Sequence, residues 1–365
     1  MFLQRNRQSF LFLTTFLIIF FIFVLIPYQY PLTITENRES TYEKNDQLFC
    51  HKLKNRETLL DISDMPPSLH KRNIFFLETS CNSYKMGRIF ITSRQACAVE
   101  SAARMNPDMD VYLLFASPGL IVDYGSESDK FLHVLITEYP NVKIQHFNIE
   151  RYVQNTPVED LWTSGKIYKS SYPIVHTSDA LRLLTLWKYG GIYLDLDVIV
   201  VKNLSNFPEN FAGAEAYNLL ANGVMGFSQF GKGREYINDC LQDFAINFDG
   251  TQWGFNGPHL ITRNILKHCP LLNKSMAIRF GKCEEFKIFS PSAFYLVPYP
   301  NWQWFFNENY TEIIETSVRE SSYLIHVWNK FSFDRKIPKN QVRAPYMRLA
   351  AQYCPRMIQQ INVEL

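Results

Sequence analysis

Two acids, Asp195 and Asp197, stand inside an otherwise apolar run, Ile192-Tyr193-Leu194-Asp195-Leu196-Asp197-Val198-Ile199-Val200. In an extended strand a period of two puts both carboxylates on one side, and carboxylates inside a hydrophobic strand are costly unless something compensates them. A hard divalent cation does so: it takes carboxylate oxygens and keeps positions for phosphate oxygens and water. A nucleoside diphosphate leaving group needs that chemistry, since the cation neutralises charge as the bond to it breaks. A lone D-x-D is weak evidence, and its weight here comes from the flanking residues. Ser178 or Thr177 fits as the cap of a helix running to Tyr189, with Leu181, Leu184 and Trp187 toward a core and Gly190-Gly191 ending it. Asp179 and Arg182 share a face near that helix's start; taken alone they read as an exposed ion pair.

The elements that must position these acids alternate. Asn73 to Leu77 reads as a strand leading into the loop Glu78-Thr79-Ser80-Cys81. A helix from Ser93 to Met105, a strand from Val111 to Phe115, a helix from Ser128 to Glu138 and a strand from Val142 to Phe147 follow. That alternation predicts an α/β fold with a mainly parallel sheet. Such sheets bind ligands beyond the carboxyl ends of their strands, so Glu78 and Thr79 are candidates for a nucleotide wall, with a plain strand-to-helix turn as the alternative. Farther on, Asn222-Gly223 is a turn signal, and His326 and Trp328 flank Val327 in an apolar strand, where a lone His is more often a satisfied core residue. Trp253 is expected to line a sugar site, while Trp302, Trp304, Phe305 and Phe306 fit either core or sugar contact. Glu215 reads as an exposed loop acid.

Bulk composition narrows the partners. The chain has 365 residues, 37 Lys plus Arg against 35 Asp plus Glu, and a formal net charge of +2, which offers no broad field for nucleic acid. Residues 10–26 form an uncharged apolar run behind Arg5 and Arg7. At about 1.5 Å per residue it spans roughly 26 Å, near the lower limit for crossing a bilayer. With no small-residue cleavage site in Pro27-Tyr28-Gln29-Tyr30-Pro31, it reads as a signal-anchor rather than a signal peptide. The positive flank predicts a single-pass type II protein with its body in the lumen, and the short span suits the Golgi membrane. The expected organisation is a cytoplasmic tail (1–9), an anchor (10–26), a luminal stem (27–72) and one catalytic domain (73–365). Seven cysteines without CxxC spacing argue for disulfides rather than structural zinc. Their odd number leaves one free or bridging to another chain, so a homodimer through the stem or an unpaired cysteine is open. Three sequons, at Asn203, Asn273 and Asn309, agree with luminal exposure.

The string Ser178-Asp179-Ala180-Leu181-Arg182, followed by Trp187-Lys188-Tyr189-Gly190-Gly191-Ile192-Tyr193-Leu194-Asp195-Leu196-Asp197, resembles the DXD region of the α1,4-glycosyltransferases. The resemblance continues in order through Phe75 to Ser80, Cys97 to Ala103, Asn222-Gly223, Trp253-Gly254, Gly257-Pro258, His326 to Lys330 and Tyr353-Cys354-Pro355, covering about Ile74 to the C-terminus. It implies a GT-A fold of Rossmann-like character, a UDP-sugar donor, a divalent metal, usually Mn2+, and retention of the donor's α configuration. It also implies metal binding by Asp195, Asp197 and His326 and donor-sugar contact by Asp179 and Arg182. Asn222, Gly223, Trp253 and Trp328 join Glu78 and Thr79 as donor-site candidates. Leu196 departs from the Thr that members often carry, and Cys81 also departs from the pattern. The function so implied is transfer of galactose or N-acetylgalactosamine from UDP-galactose or UDP-N-acetylgalactosamine, in α1,4 linkage, to a glycolipid acceptor in the Golgi membrane. N-acetylglucosaminyl transfer to glycoprotein glycans, or a non-catalytic lectin or scaffold, are the alternatives. No carboxylate can be placed beneath the donor's anomeric carbon from sequence, so a front-face route is expected, with the departing UDP oxygen taking the acceptor's proton.

Overall fold

The computed structural model describes residues 47–54, 56–270, 273–274, 277–278 and 280–365. The run 10–26 read as an anchor lies outside these residues. Among the described residues no helix is long and apolar enough to cross a membrane.

Twelve strands are present among the described residues: β1 (Ile74–Glu78), β2 (Val111–Phe115), β3 (Val142–His146), β4 (Gly191–Leu194), β5 (Val198–Val200), β6 (Asn210–Ala216), β7 (Leu219–Phe227), β8 (Asn273–Lys274), β9 (Ala277–Ile278), β10 (Gly281–Cys283), β11 (Phe286–Phe289) and β12 (Leu324–His326). Eight form the central sheet, in the order β10-β11-β6-β7-β4-β1-β2-β3. The half from β4 to β3 is parallel, with helices between its strands, as the sequence alternation predicts. The sheet is nevertheless mixed: β11 and β6 pair parallel, but β7 runs antiparallel to both β4 and β6, and β10 antiparallel to β11. For β6 and β7 the reason is connectivity: they are joined by the two residues Tyr217-Asn218, and so short a link permits only an antiparallel hairpin.

The strand period of two divides the core. Ile74 and Phe76 of β1 and Val111, Leu113 and Phe115 of β2 enter one layer with Cys97, Val99 and Ala102 of the Ser93–Met105 helix. Phe75, Leu77, Tyr112 and Leu114 point to the other, against Leu181 and Leu184 of the Pro173–Tyr189 helix and Ile237 and Leu241 of the Gly231–Asn247 helix. A helix–sheet–helix sandwich follows.

Part of the stretch read as stem is packed on this body. Leu48 and Ile62 are fully buried, Asp61 bridges to His146 at the end of β3, and Cys50 is disulfide-bonded to Cys81. That bond gives Cys81, which departs from the family pattern, a structural partner. Cys97–Cys354 and Cys269–Cys283 complete the disulfides, and the free Cys240 is buried at 0% exposure. Its thiol is enclosed in the fold.

Candidate active site

The acids are held by a break in the sheet. The single strand expected across Ile192–Val200 is two: β4 ends at Leu194, a turn carries Asp195-Leu196-Asp197, and β5 begins at Val198 in a different, two-stranded sheet with β12. The turn lets both acids face the cleft without remaining in a dry ladder. Their neighbours compensate them. The Asp195 amide donates to the Gly223 carbonyl (2.8 Å), and its carboxylate receives the Tyr193 hydroxyl (2.6 Å) and Arg182 Nη1 (3.0 Å). The Asn329 amide donates to Asp197 Oδ2 (2.7 Å). Burial would raise the Asp195 pKa, but Arg182 and His326 hold it below the usual carboxylate value.

β12 explains how His326 reaches this turn. Its antiparallel register pairs His326 with Val198, next to Asp197. His326 Nε2 lies 3.1 Å from Asp197 Oδ1 and 3.5 Å from Asp195 Oδ2. Burial alone would depress the imidazole's pKa; the two carboxylates outweigh it and raise it to about 10. One ligand atom from each of the three residues lies within 4.8 Å of the others, a donor set of two carboxylates and one imidazole that a divalent cation fits. A cation held there would replace the proton His326 shares with the acids.

The helix before β4 begins at Pro173 rather than at Ser178, with proline at its first position, where the missing N–H costs nothing. Ser178 is therefore inside the helix, and its hydroxyl accepts from Arg182 Nη2 (2.8 Å) instead of capping. The shift also moves Asp179 and Arg182 into the interior: they are 3% and 6% exposed, not a surface pair. Asp179 Oδ1 lies 3.5 Å from Arg182 and accepts from the Asn222 amide (2.7 Å), while Oδ2 has no hydrogen-bond partner. Burial pushes the Asp179 carboxyl pKa up, against the pull of Arg182. The Gly190-Gly191 stop is as expected. Both residues have positive φ, and a Cβ on Gly191 would lie 2.5 Å from the Asn73 carbonyl.

Asp179, Arg182, Asp195, Asp197, Asn222, Gly223, Trp253, His326 and Trp328 line one cleft of about 430 Å3. Trp328 takes a left-handed backbone (φ 57°) just after β12, and its indole donates to the Val297 carbonyl (2.7 Å). Glu78 and Thr79 are not among the lining residues. Glu78 accepts from the Ser80 amide (2.7 Å) and the Gln95 side chain, and the Thr79 carbonyl is bonded to His51 (2.9 Å). Glu215 corrects the loop-acid reading: it sits on β6, lines the cleft, and burial raises its carboxyl pKa to about 7. Sequence reasoning also missed Tyr295, Tyr299 and Phe331 in the lining, whose aromatic, turn-rich surroundings carry no periodic signal; Lys330, inside the His326 to Lys330 string, was there to be found.

A model described as the glycosyltransferase sugar-binding region containing DXD motif matches residues 92–215, and one described as the alpha 1,4-glycosyltransferase conserved region matches residues 229–361. The lactosylceramide 4-alpha-galactosyltransferase of Mus musculus is 35% identical over 285 residues, covering 78% of this chain and 74% of that protein. The chain belongs to the α1,4-glycosyltransferase family. The Homo sapiens lactosylceramide 4-alpha-galactosyltransferase is 32% identical over 96% of this chain and 93% of its own length. The Homo sapiens alpha-1,4-N-acetylglucosaminyltransferase is 27% identical over 79% and 80%. As an α1,4-glycosyltransferase, the chain carries the DXD acids at the sheet break and draws its cleft from both matched regions: Asp179 to Glu215 fall in the first, Trp253 to Phe331 in the second, and Asn222 and Gly223 lie between them.

Proposed function

We propose that this α1,4-glycosyltransferase is a Golgi-anchored, type II, cation-dependent enzyme of GT-A fold. It moves galactose or N-acetylgalactosamine from UDP to a glycosphingolipid, keeping the donor's α configuration. The observation that carries this reading is the Asp195–Asp197–His326 triad in the lining of a cleft that the buried Asp179–Arg182 pair also lines. A hard cation, Mn2+ in this reading, would be held by Asp195, Asp197 and His326 and would supply charge neutralisation at the diphosphate. The protein's own groups do the rest. Arg182 is fixed by the Ser178 hydroxyl and the Asn222 carbonyl, so its charge needs no reorganisation as the leaving group gains charge. Asp179 Oδ2, buried and unpartnered, is set to accept from a hydroxyl of the donor sugar.

The acceptor's proton then passes to the departing UDP oxygen as the new bond forms on the same face. A covalent route through Glu215 would draw on a carboxyl whose pKa burial raises to about 7, so that only part of it is the nucleophilic carboxylate near neutral pH. The full chain, assayed with Mn2+ against a panel of UDP-sugars, glycolipids and glycoprotein glycans, should give an α1,4-linked product from one preferred donor. An inverted product by NMR, or a sugar trapped on Glu215, overturns the front-face route; glycan binding without transfer overturns the enzyme reading. Asp195→Ala and Asp197→Ala should each lower transfer by about 10^3-fold or more while the luminal domain, expressed without residues 1–26, still folds and is secreted. Activity within a few-fold of wild type in either would remove the metal assignment.

A further inference from the structure

One rim of the cleft is apolar and basic in a way the transfer chemistry does not use. Phe331 lines the cleft and is 42% exposed; Phe333, two residues on and outside the cleft, is 63% exposed. Phe331 stacks on Tyr299 (centroids 5.8 Å, 22° between planes), itself 52% exposed and also lining the cleft, so two exposed rings stand together in its lining. The same segment continues through Arg335, Lys336, Lys339, exposed Val342 and Arg343, with Lys330 before it and Asp334 as the acid within it. Lys336 pairs with Glu364, whereas Arg335 and Arg343 make no ion pair among the described residues.

Exposed aromatic rings among Lys and Arg are the composition of a surface that lies in a lipid interface: rings enter the headgroup boundary and cations meet phosphate. The position argues the same way. A short glycan on a membrane lipid cannot carry its reacting hydroxyl far from the bilayer, so the mouth of a cleft that glycosylates it must come down to the headgroups.

We propose that the segment from Lys330 to Arg343, with Tyr299, is the face that rests on the lipid surface holding the acceptor, with Phe331 and Phe333 in the headgroup layer. The inference rests on the glycolipid reading above and adds the surface that delivers such an acceptor. Phe333→Ser, made in the full chain reconstituted in phosphatidylcholine vesicles, separates the two. Transfer to a glycolipid embedded in the vesicles should fall about tenfold, the scale of losing one ring's transfer from water. Transfer to a soluble lactoside with a short aglycone should stay within twofold. Equal loss on both acceptors, or no loss on either, overturns the proposal while leaving the transfer reaction intact; no transfer to either acceptor by the wild type overturns the parent reading instead.

A second readout does not depend on turnover. Phe333→Cys carries the one accessible thiol, since the other described cysteines are disulfide-bonded or buried and residues 1–46 contain none. A fluorophore attached there should be quenched by spin-labelled phosphatidylcholine and shielded from aqueous iodide. Quenching by iodide, or shielding from both quenchers as a covering protein would give, overturns the proposal.

Discussion

Tyr295 shows what a single side chain contributes beyond its type. Its ring is core: 1% exposed, 5.4 Å from the His326 ring and 5.5 Å from Trp328. Its hydroxyl is another matter. It is buried without a hydrogen-bond partner, in the wall of the cleft, and a Cβ placed on Gly223 would lie 3.3 Å from it and 2.6 Å from Asp195 Oδ2. Burial, reinforced by the charges of Asp195 and Asp197, holds the phenol pKa well above its ordinary value, so the group stays a donor at any working pH. A buried donor without an acceptor costs free energy until a ligand supplies one. Tyr295→Phe keeps the ring contacts and deletes that donor; it should lower kcat/KM by about 10- to 100-fold, the scale of one hydrogen bond to a charged group, with little change in melting temperature. Steady-state kinetics beside a thermal melt checks this, and unchanged kcat/KM would mean the hydroxyl meets no substrate.

Elements carry geometry that residue types alone do not reveal. The Ser93–Met105 helix and β1 to β3 were legible because capping, period and length agree locally; Thr92 and Gln95, for instance, form a reciprocal capping box. The break between β4 and β5 was not, because Asp195 and Asp197 interrupt an apolar run without a glycine or proline to mark a turn. What holds the break open is on β7, where Gly223 lets the Asp195 carboxylate approach the neighbouring backbone. Gly223→Ala puts a methyl inside that contact and should displace the carboxylate, lowering activity by at least about tenfold while circular dichroism is unchanged; activity equal to wild type would show that the carboxylate has room to move. Between helices, Asp243 of the Gly231–Asn247 helix receives Arg263 Nε (2.7 Å) and Nη2 (3.0 Å) and the Asn264 amide from the Pro258–His268 helix. Burial opposes ionisation of Asp243, but these donors win and lower its pKa to about 2. A carboxyl depressed in the fold stabilises it above the ordinary unfolded value of about 4 and loses that contribution as pH falls toward 2. Asp243→Asn should therefore cost about 1.5–3 kcal/mol at neutral pH, and the gap from wild type in chemical denaturation should shrink below pH 4; a gap independent of pH would refute the linkage.

At the scale of the whole molecule, the site is assembled by contacts between distant parts of the chain. His326 joins Asp197 because β12 pairs with β5, a long-range choice that the local pattern around His326, a histidine ending a short apolar strand, does not encode. The family resemblance placed His326 at the cation; the bare residues read it as core. The cysteines follow the same logic, since seven of them permit many pairings and only the fold selects Cys97–Cys354. That bond ties the Ser93–Met105 helix to the end of the Pro345–Tyr353 helix. Beside it, Glu100 accepts from the Arg356 (3.0 Å) and Met357 (2.8 Å) amides and so closes the start of the Pro355–Gln360 helix. The bridge spans 257 residues of sequence, so in the unfolded chain it closes a very long loop, worth about 5.5 kcal/mol in the chain-entropy account. None of the residues lining the cleft belongs to these C-terminal helices. Cys354→Ser should therefore lower the melting temperature by about 10 °C and reduce the amount of folded protein exported, while kcat at 25 °C stays within about twofold of wild type, Glu100 still holding the last helix in place. Because Cys97 lies in the core, Cys97→Ala with Cys354→Ala is the control for a stray thiol: the double variant should melt with the single one. A melting temperature equal to wild type in both would mean that burial of these helices, rather than the covalent tie, fixes the two ends of the domain.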